Sequence, residues 1–203
     1  YLARKKMGRR LAQEMDIDAD LVVPVPSSGV AAAQGYSLES GISYADGILR
    51  NRYVGRTFIQ PTQEMRDLKV RMKLNPIDKI LEDKDIILID DSIVRGTTSQ
   101  QIINQLKQTN VNKIHMAIAS PPVQYPCYYG LDTSRRKELI AREKETEEIA
   151  EYIGADTLNY LSLDGILKVL EAEDYGYCTA CFNGQYPTEE CNEKEVDKNG
   201  IIL

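Results

Sequence analysis

DIILIDDSIVRGTTS, residues 85–99, decides the architecture of this chain. Ile86, Ile87, Leu88 and Ile89 form an unbroken apolar run, the pattern of a parallel strand buried on both faces. Two carboxylates, Asp90 and Asp91, stand at its carboxyl end. A small turn follows, and Gly96, Thr97, Thr98 and Ser99 open a helix. Open α/β sheets bind ligands at such strand ends. A helix start offers unpaired N–H groups and a positive dipole end, which suit a phosphate. The paired acids suit sugar hydroxyls or a hard cation such as Mg²⁺. Phosphate, sugar and metal together describe a phosphorylated ribose. Paired acids after an apolar strand also occur in phospho-acceptor receiver domains and other doubly wound sheets. The whole run, rather than the acid pair alone, carries the reading.

Working outward, LVVPVP (21–26) reads as a strand, and SSG (27–29) turns into an alanine-rich helix over 30–40. Residues 44–50 read as short and irregular. Residues 51–67 lack periodicity and read as a long loop, a length that is usually functional in a compact domain. A helix is expected near 66–74, the central strand over 85–90 and a helix over 97–108. KIHMAIAS (113–120) reads as a strand stopped by Pro121 and Pro122. A charged helix over 145–153, a strand over 156–161 and an amphipathic helix over 162–172 follow, the last capped by Ser162 with Asp164. Strands alternating with helices imply a mostly parallel sheet covered on both faces. Residues 175–203 read as a polar appendage with little core of its own.

The chain opens on a helix from Leu2, with Met7, Leu11 and Met15 on one face and no capping residue before it. It therefore reads as a piece of a longer polypeptide. With 203 residues, 42% hydrophobic, it has enough apolar material for one full core. A net charge of −6 and a pI near 5.0 argue against nucleic acid as the main partner. No apolar run approaches a membrane span, and no signal-like segment opens the chain, so a cytoplasmic location is expected. Against the acidic background, Arg50, Arg52, Arg56, Arg66, Lys69, Arg71 and Lys73 make one locally basic segment. It reads either as a solvated face or as a lid over pyrophosphate. His115, the single histidine, lies in an expected strand and reads as structural.

DDSIVRGTTS resembles the ribose-phosphate loop of type I phosphoribosyltransferases, and in its wording the loop of the phosphoribosylpyrophosphate (PRPP) amidotransferase family. Four further segments resemble that family in the same order. VPVPSSG (23–29) is similar to its pyrophosphate loop, with Ser27 where an acid is common and Gly29 where some members carry Ser. RYVGRTF (52–58) is similar to its flexible catalytic loop, with VRMKLN (70–75) downstream. YYGLDTSRRKELIA (128–141) is similar to a segment near the active-site edge that carries regulatory nucleotide contacts in parts. YCTACFNGQYPT (177–188) resembles the C-terminal segment of members that hold a [4Fe–4S] cluster.

The resemblance implies a type I phosphoribosyltransferase fold over residues 1–174 and a cysteine-containing tail over 175–203. The family's glutaminase domain is not represented in these residues. It implies catalytic roles for Arg52, Tyr53, Arg56 and Thr57, with the loop closing over PRPP to exclude water. Ser27, Ser28 and Gly29 would hold pyrophosphate. Asp90 and Asp91 would bind the ribose hydroxyls and approach Mg²⁺, and Ser92, Arg95, Gly96, Thr97 and Thr98 would cradle the 5′-phosphate. It further implies ammonia from glutamine as nucleophile, purine nucleotides as inhibitors and a homo-oligomer.

Four cysteines are present, and disulfides are not expected in an acidic cytosolic enzyme. Cys178-Thr-Ala-Cys181 is a C-x-x-C, which suggests a metal or a redox pair. The resemblance makes Cys127, Cys178 and Cys181 ligands of an iron–sulfur cluster. Zinc, or Cys191 as a fourth ligand, stays open, since four thiolates suit either metal centre. Two other functions are weighed: a PRPP-sensing regulator without catalysis, and a phosphoribosyltransferase that uses a base. The first would carry a DNA-binding segment and a basic face, the second a hood over the base. Neither feature is visible in the sequence.

Overall fold

A computed structural model describes residues 1–51, 53, 74–131, 133, 136–171 and 176–188. The elements begin with α1 (Leu2–Glu14), β1 (Leu21–Pro24), α2 (Val30–Ser40), β2 (Ser43–Tyr44) and β3 (Ile48–Arg50). Next come β4 (Leu74–Pro76), α3 (Asp78–Leu81), β5 (Asp85–Asp90), α4 (Thr97–Leu106) and β6 (Lys113–Ile118). The last are α5 (Ile140–Glu143), α6 (Thr146–Ile153), β7 (Thr157–Tyr160), α7 (Leu163–Val169) and α8 (Ala180–Asn183). Five strands form one sheet in the order β2-β1-β5-β6-β7, and every pair in it is parallel.

The apolar run of β5 is continuous because the strand is central and both its faces are covered. Its side chains still alternate. Ile86 and Leu88 join a core layer with Val23, Met116, Ile103 and Ile153, under α4 and α6. Ile87 and Ile89 join the opposite layer with Val22, Ala33, Tyr36 and Leu11, under α1 and α2. All four β5 side chains are inaccessible to solvent. At roughly 1.5–3 kcal/mol each, their burial outweighs the cost of burying the acid that ends the strand.

Helices α1 and α2 approach backbone to backbone. A methyl group on Gly8 would sit 1.8 Å from the Ala32 carbonyl oxygen, and one on Gly35 1.9 Å from that of Lys5. Only glycine permits this contact, and it lays α1 alongside the start of α2, next to the carboxyl ends of β1 and β5. At the other end of α1, Glu14 accepts hydrogen bonds from Ser162 N–H and Ser162 Oγ, both at 2.8 Å. Ser162 in turn accepts from Gly165 N–H at 2.8 Å and caps α7. Asp164 pairs with Lys168 rather than capping.

The elements differ from the sequence reading mainly at the edges. Residues 44–50, read as irregular, contain the end of β2 and all of β3. Leu74, read as the end of a helix, opens β4, which pairs antiparallel with β3 from Ile48↔Pro76 to Arg50↔Leu74. Strands of two or three residues are too short to show a period, and tertiary pairing makes them. Residues 66–73 of the expected helix, and 54–67 of the expected loop, lie outside the described residues. His115 Nδ1 lies 2.9 Å from Thr157 Oγ1 across the β6–β7 pair. No helix among the described residues is long and apolar enough to cross a membrane.

Candidate functional site

The order of strands reverses between β1 and β5. From β1 the chain winds outward to β2 on one side, and from β5 it winds through β6 to β7 on the other. Crevices open at the carboxyl ends of strands at such a switch point. Here they are bounded by residues 25–29 and 90–96. The first loop hugs the central strand: Val25 N–H donates to the Ile89 carbonyl at 2.8 Å, and Gly29 N–H to the Val25 carbonyl at 2.9 Å. The Pro26–Ser27 peptide bond is cis. A methyl group on Gly29 would lie 2.1 Å from the Ile89 oxygen, so only glycine fits there.

This tight approach brings Ser28 onto the acid pair. Ser28 Oγ donates to Asp90 Oδ1 at 2.7 Å, and Asp91 N–H donates to the same oxygen at 2.8 Å. Asp90 is 7% exposed. Burial pushes its carboxyl up to about 6 from 3.8, and the nearby charge of Asp91 adds to the rise. The two donated hydrogen bonds pull the other way without cancelling it. Asp91 is more open, with Ser92 Oγ donating to it at 3.3 Å and Arg4 Nη1 3.7 Å from its Oδ2. Arg4 Nη1 also donates to the Ser28 carbonyl at 3.2 Å. Arg50 Nη1 donates to Ser27 Oγ at 3.2 Å.

Beyond the acids, Asp90 and residues 92–99 enclose a hollow of about 240 Å³. Gly96 takes a left-handed turn, φ 74°, and α4 starts without a side-chain cap, which leaves its first-turn N–H groups to a ligand. A side chain at Gly96 would meet Ile140 Cδ1 at 2.9 Å and the Tyr152 ring at 3.1 Å. Arg95 is gripped by Glu138: Nε donates to Oε2 at 2.7 Å, and Nη2 donates to the same oxygen. A larger hollow, about 530 Å³, lies elsewhere, between residues 122–125 and 141–149. It mixes Arg142 and Lys144 with Glu143, Glu145 and Glu148. The Glu145–Glu148 capping box occupies part of the helix end that faces it.

The structure thus gathers Ser27, Ser28, Gly29, Asp90, Asp91, Ser92, Arg95, Gly96, Thr97 and Thr98 along one sheet edge. Arg52, Arg56, Thr57 and Asp132 lie outside the described residues. Tyr53 is fully exposed, and its N–H donates to Asn51 Oδ1 at 3.0 Å rather than reaching the acids. Arg4 and Glu138 escaped the sequence reading, whereas Arg50 belongs to the basic segment it singled out and does reach the loop, at Ser27 Oγ. For Arg4 a signal existed, since it falls three residues before Met7 and four before Gly8, on the face that packs inward.

Cys127, Cys178 and Cys181 meet at a different corner. The Cys181 carbonyl accepts from Gln124 N–H at 2.9 Å and from Tyr125 N–H at 3.0 Å. Burial pushes the Cys181 thiol up, and the charges of Cys127 and Cys178 add to this. Tyr129 N–H donates to Cys127 Sγ at 3.4 Å. Tyr186 stacks on Tyr128, centroids 4.7 Å apart, and its hydroxyl donates to the Pro126 carbonyl at 2.7 Å. Residues 176–188 therefore dock on the 124–129 loop, with Ala180 buried. Soft thiolate donors suit iron–sulfur or zinc in kind. Among the described residues no three His, Cys, Asp or Glu side chains are placed to hold a single metal ion. Cys191 lies outside the described residues.

No family model matches the chain. A protein named amidophosphoribosyltransferase from Synechocystis sp. is 52% identical over 187 residues, 92% of this chain and 38% of that protein. One of the same name from Methanocaldococcus jannaschii is 50% identical over 194 residues, 96% of this chain and 41% of that protein. The solved structure of glutamine PRPP amidotransferase from B. subtilis, complexed with ADP and GMP, matches with a TM-score of 0.84 at 49% identity. It covers 93% of this chain and 42% of its own. A second structure, of the allosteric regulatory enzyme of purine biosynthesis, gives 0.83 at 48%, over 93% of this chain and 41% of that one. The chain spans about two-fifths of the length of the curated relatives it matches, and over that span it belongs to the amidophosphoribosyltransferase family.

Proposed function

We propose that this chain binds PRPP and transfers its phosphoribosyl group to ammonia, as the phosphoribosyltransferase part of an amidophosphoribosyltransferase in purine biosynthesis. The observation that carries this reading is the buried Asp90, held by Ser28 beside Asp91 and opening onto the uncapped start of α4. Once ionised, the two acids accept the 2′- and 3′-hydroxyls of the ribose. First-turn N–H groups of α4 with the hydroxyls of Ser92, Thr97 and Thr98 receive the 5′-phosphate. Ser27, Ser28 and the loop backbone face the pyrophosphate end. In the transfer the bond from C1 to pyrophosphate breaks, the leaving group keeps the electron pair, and a C1–N bond forms. The nitrogen then sheds a proton. No strong base is needed, so positioning and fixed charge supply the catalysis. Oxygen donors at Asp90 and Asp91 fit a hard cation, and Mg²⁺ held there would supply charge neutralisation for the leaving group.

On the same reading, Arg52, Tyr53, Arg56 and Thr57 belong to a loop that closes over PRPP. The parent protein adds a glutaminase domain as ammonia source, forms a cytoplasmic homo-oligomer and is inhibited by purine nucleotides. A [4Fe–4S] cluster on Cys127, Cys178 and Cys181 with a further ligand would be structural, and no step of the transfer runs through it. Calorimetric titration of PRPP with Mg²⁺ tests the reading on the wild type and on the Asp90→Asn, Asp91→Asn double variant. Binding to the wild type, weakened at least about 100-fold in the double variant, is expected from the loss of several hydrogen bonds to charged groups. A folded wild type that does not bind PRPP would sink it.

A further inference from the structure

Among the described residues that line the 240 Å³ hollow, Arg95 is the one cation and Asp90 the one anion. A phosphate cradle with so little positive charge depends on where that arginine points. We propose that Glu138 is its positioning residue: by taking Nε and Nη2 of Arg95 on one edge of the guanidinium, it holds the other edge ready for a phosphate. This rests on the proposed reading of the hollow as the 5′-phosphate site.

An exposed ion pair ordinarily contributes little, because two long side chains must be frozen to make it. Here one partner is already fixed. Glu138 precedes Leu139, which is fully buried, and Ile140, whose N–H donates to the Val94 carbonyl at 2.9 Å. Ile140 and Tyr152 also abut Gly96, the next residue of the phosphate loop. The backbone carrying Glu138 is thus strapped to the loop on both sides of Arg95. Most of the ordering cost of Arg95 is met before any ligand arrives, which is how preorganisation adds affinity. The planar fork of arginine has donors on two edges and serves both partners in a fixed geometry, whereas the donors of a lysine ammonium rotate freely and fix none.

The test is a double-mutant cycle on the full chain, read by calorimetry with ribose 5-phosphate and separately with inorganic pyrophosphate. Glu138→Gln is expected to weaken ribose 5-phosphate by about 5–10-fold, with pyrophosphate affinity and melting temperature unchanged. In an Arg95→Met background the same substitution should cost less than about twofold, because the interaction it removes no longer exists. Glu138→Asp, which keeps the charge on a shorter arm, should fall between wild type and Glu138→Gln. Equal losses in both backgrounds, or a Glu138→Gln chain that binds as tightly as wild type or tighter, would overturn the role of Glu138 alone. A folded wild type that binds neither probe would overturn the phosphate-site reading and this inference with it.

Discussion

The strand-end edge at Asp90 is built from the loops that follow β1 and β5, and the cysteine corner at Cys181 from residues 176–188 docked on the loop that follows β6. They are held in opposite ways. At the edge, the groups proposed for ligand binding make the contacts themselves: Ser28 to Asp90, Asp91 N–H to Asp90, Arg4 to Ser28 and Asp91. At the corner, a carbonyl of Cys181 and the stacked rings of Tyr128 and Tyr186 do most of the holding, and the thiols add a long hydrogen bond from Tyr129 N–H to Cys127 Sγ. Function and stability are therefore entangled at the first place and separable at the second.

Gly29→Ala should break the edge most severely. The added methyl has the Ile89 oxygen 2.1 Å away, so loop and strand must part. A loss of at least about 3 kcal/mol, read by denaturant unfolding, is expected. Asp90→Asn should act in the other direction and depend on pH. Burial lifts the folded-state carboxyl to about 6 from 3.8. Between those values the folded chain holds a proton that the unfolded chain has released, so this group's contribution falls as pH rises and is fully lost above pH 6. The asparagine variant should thus be more stable than wild type at pH 8, by up to about 3 kcal/mol, and no more stable below pH 4. Equal melting curves at pH 8 would remove the buried-acid side of the contrast.

At the corner the expected effects are smaller and involve the thiols little. Tyr186→Phe deletes the hydrogen bond to Pro126 and should cost about 1 kcal/mol. Cys178→Ser, at an exposed thiol, should change the stability of the metal-free chain by less than about 0.5 kcal/mol. A larger loss for Cys178→Ser than for Tyr186→Phe would mean that the thiols do hold this corner.

What could be read from residues alone follows from the range of the forces involved. The run Ile86–Ile89 and the helix starting at Thr97 announce themselves because apolar runs and helix starts are local patterns. β2, β3 and β4 do not, since pieces of two or three residues exist only through their partners. The alanine-rich α2 was legible, but its glycine contact with α1 was not, although it is what carries Arg4 to the acids. Arg95 was assigned to the phosphate by its motif. Its carboxylate partner lies 43 residues away, and no spacing rule connects the two. The docking of residues 176–188 was hidden for the same reason, because two stacked tyrosines leave no periodic trace.

Ser28 and Asp90 are 62 positions apart and share one hydrogen bond. A loop that long is costly to close for a single bond, so the contact forms only after β1 and β5 have paired along their length. The polar edge is thus late in time as well as terminal in space. A folding chain acquires its sheet first and its site afterwards.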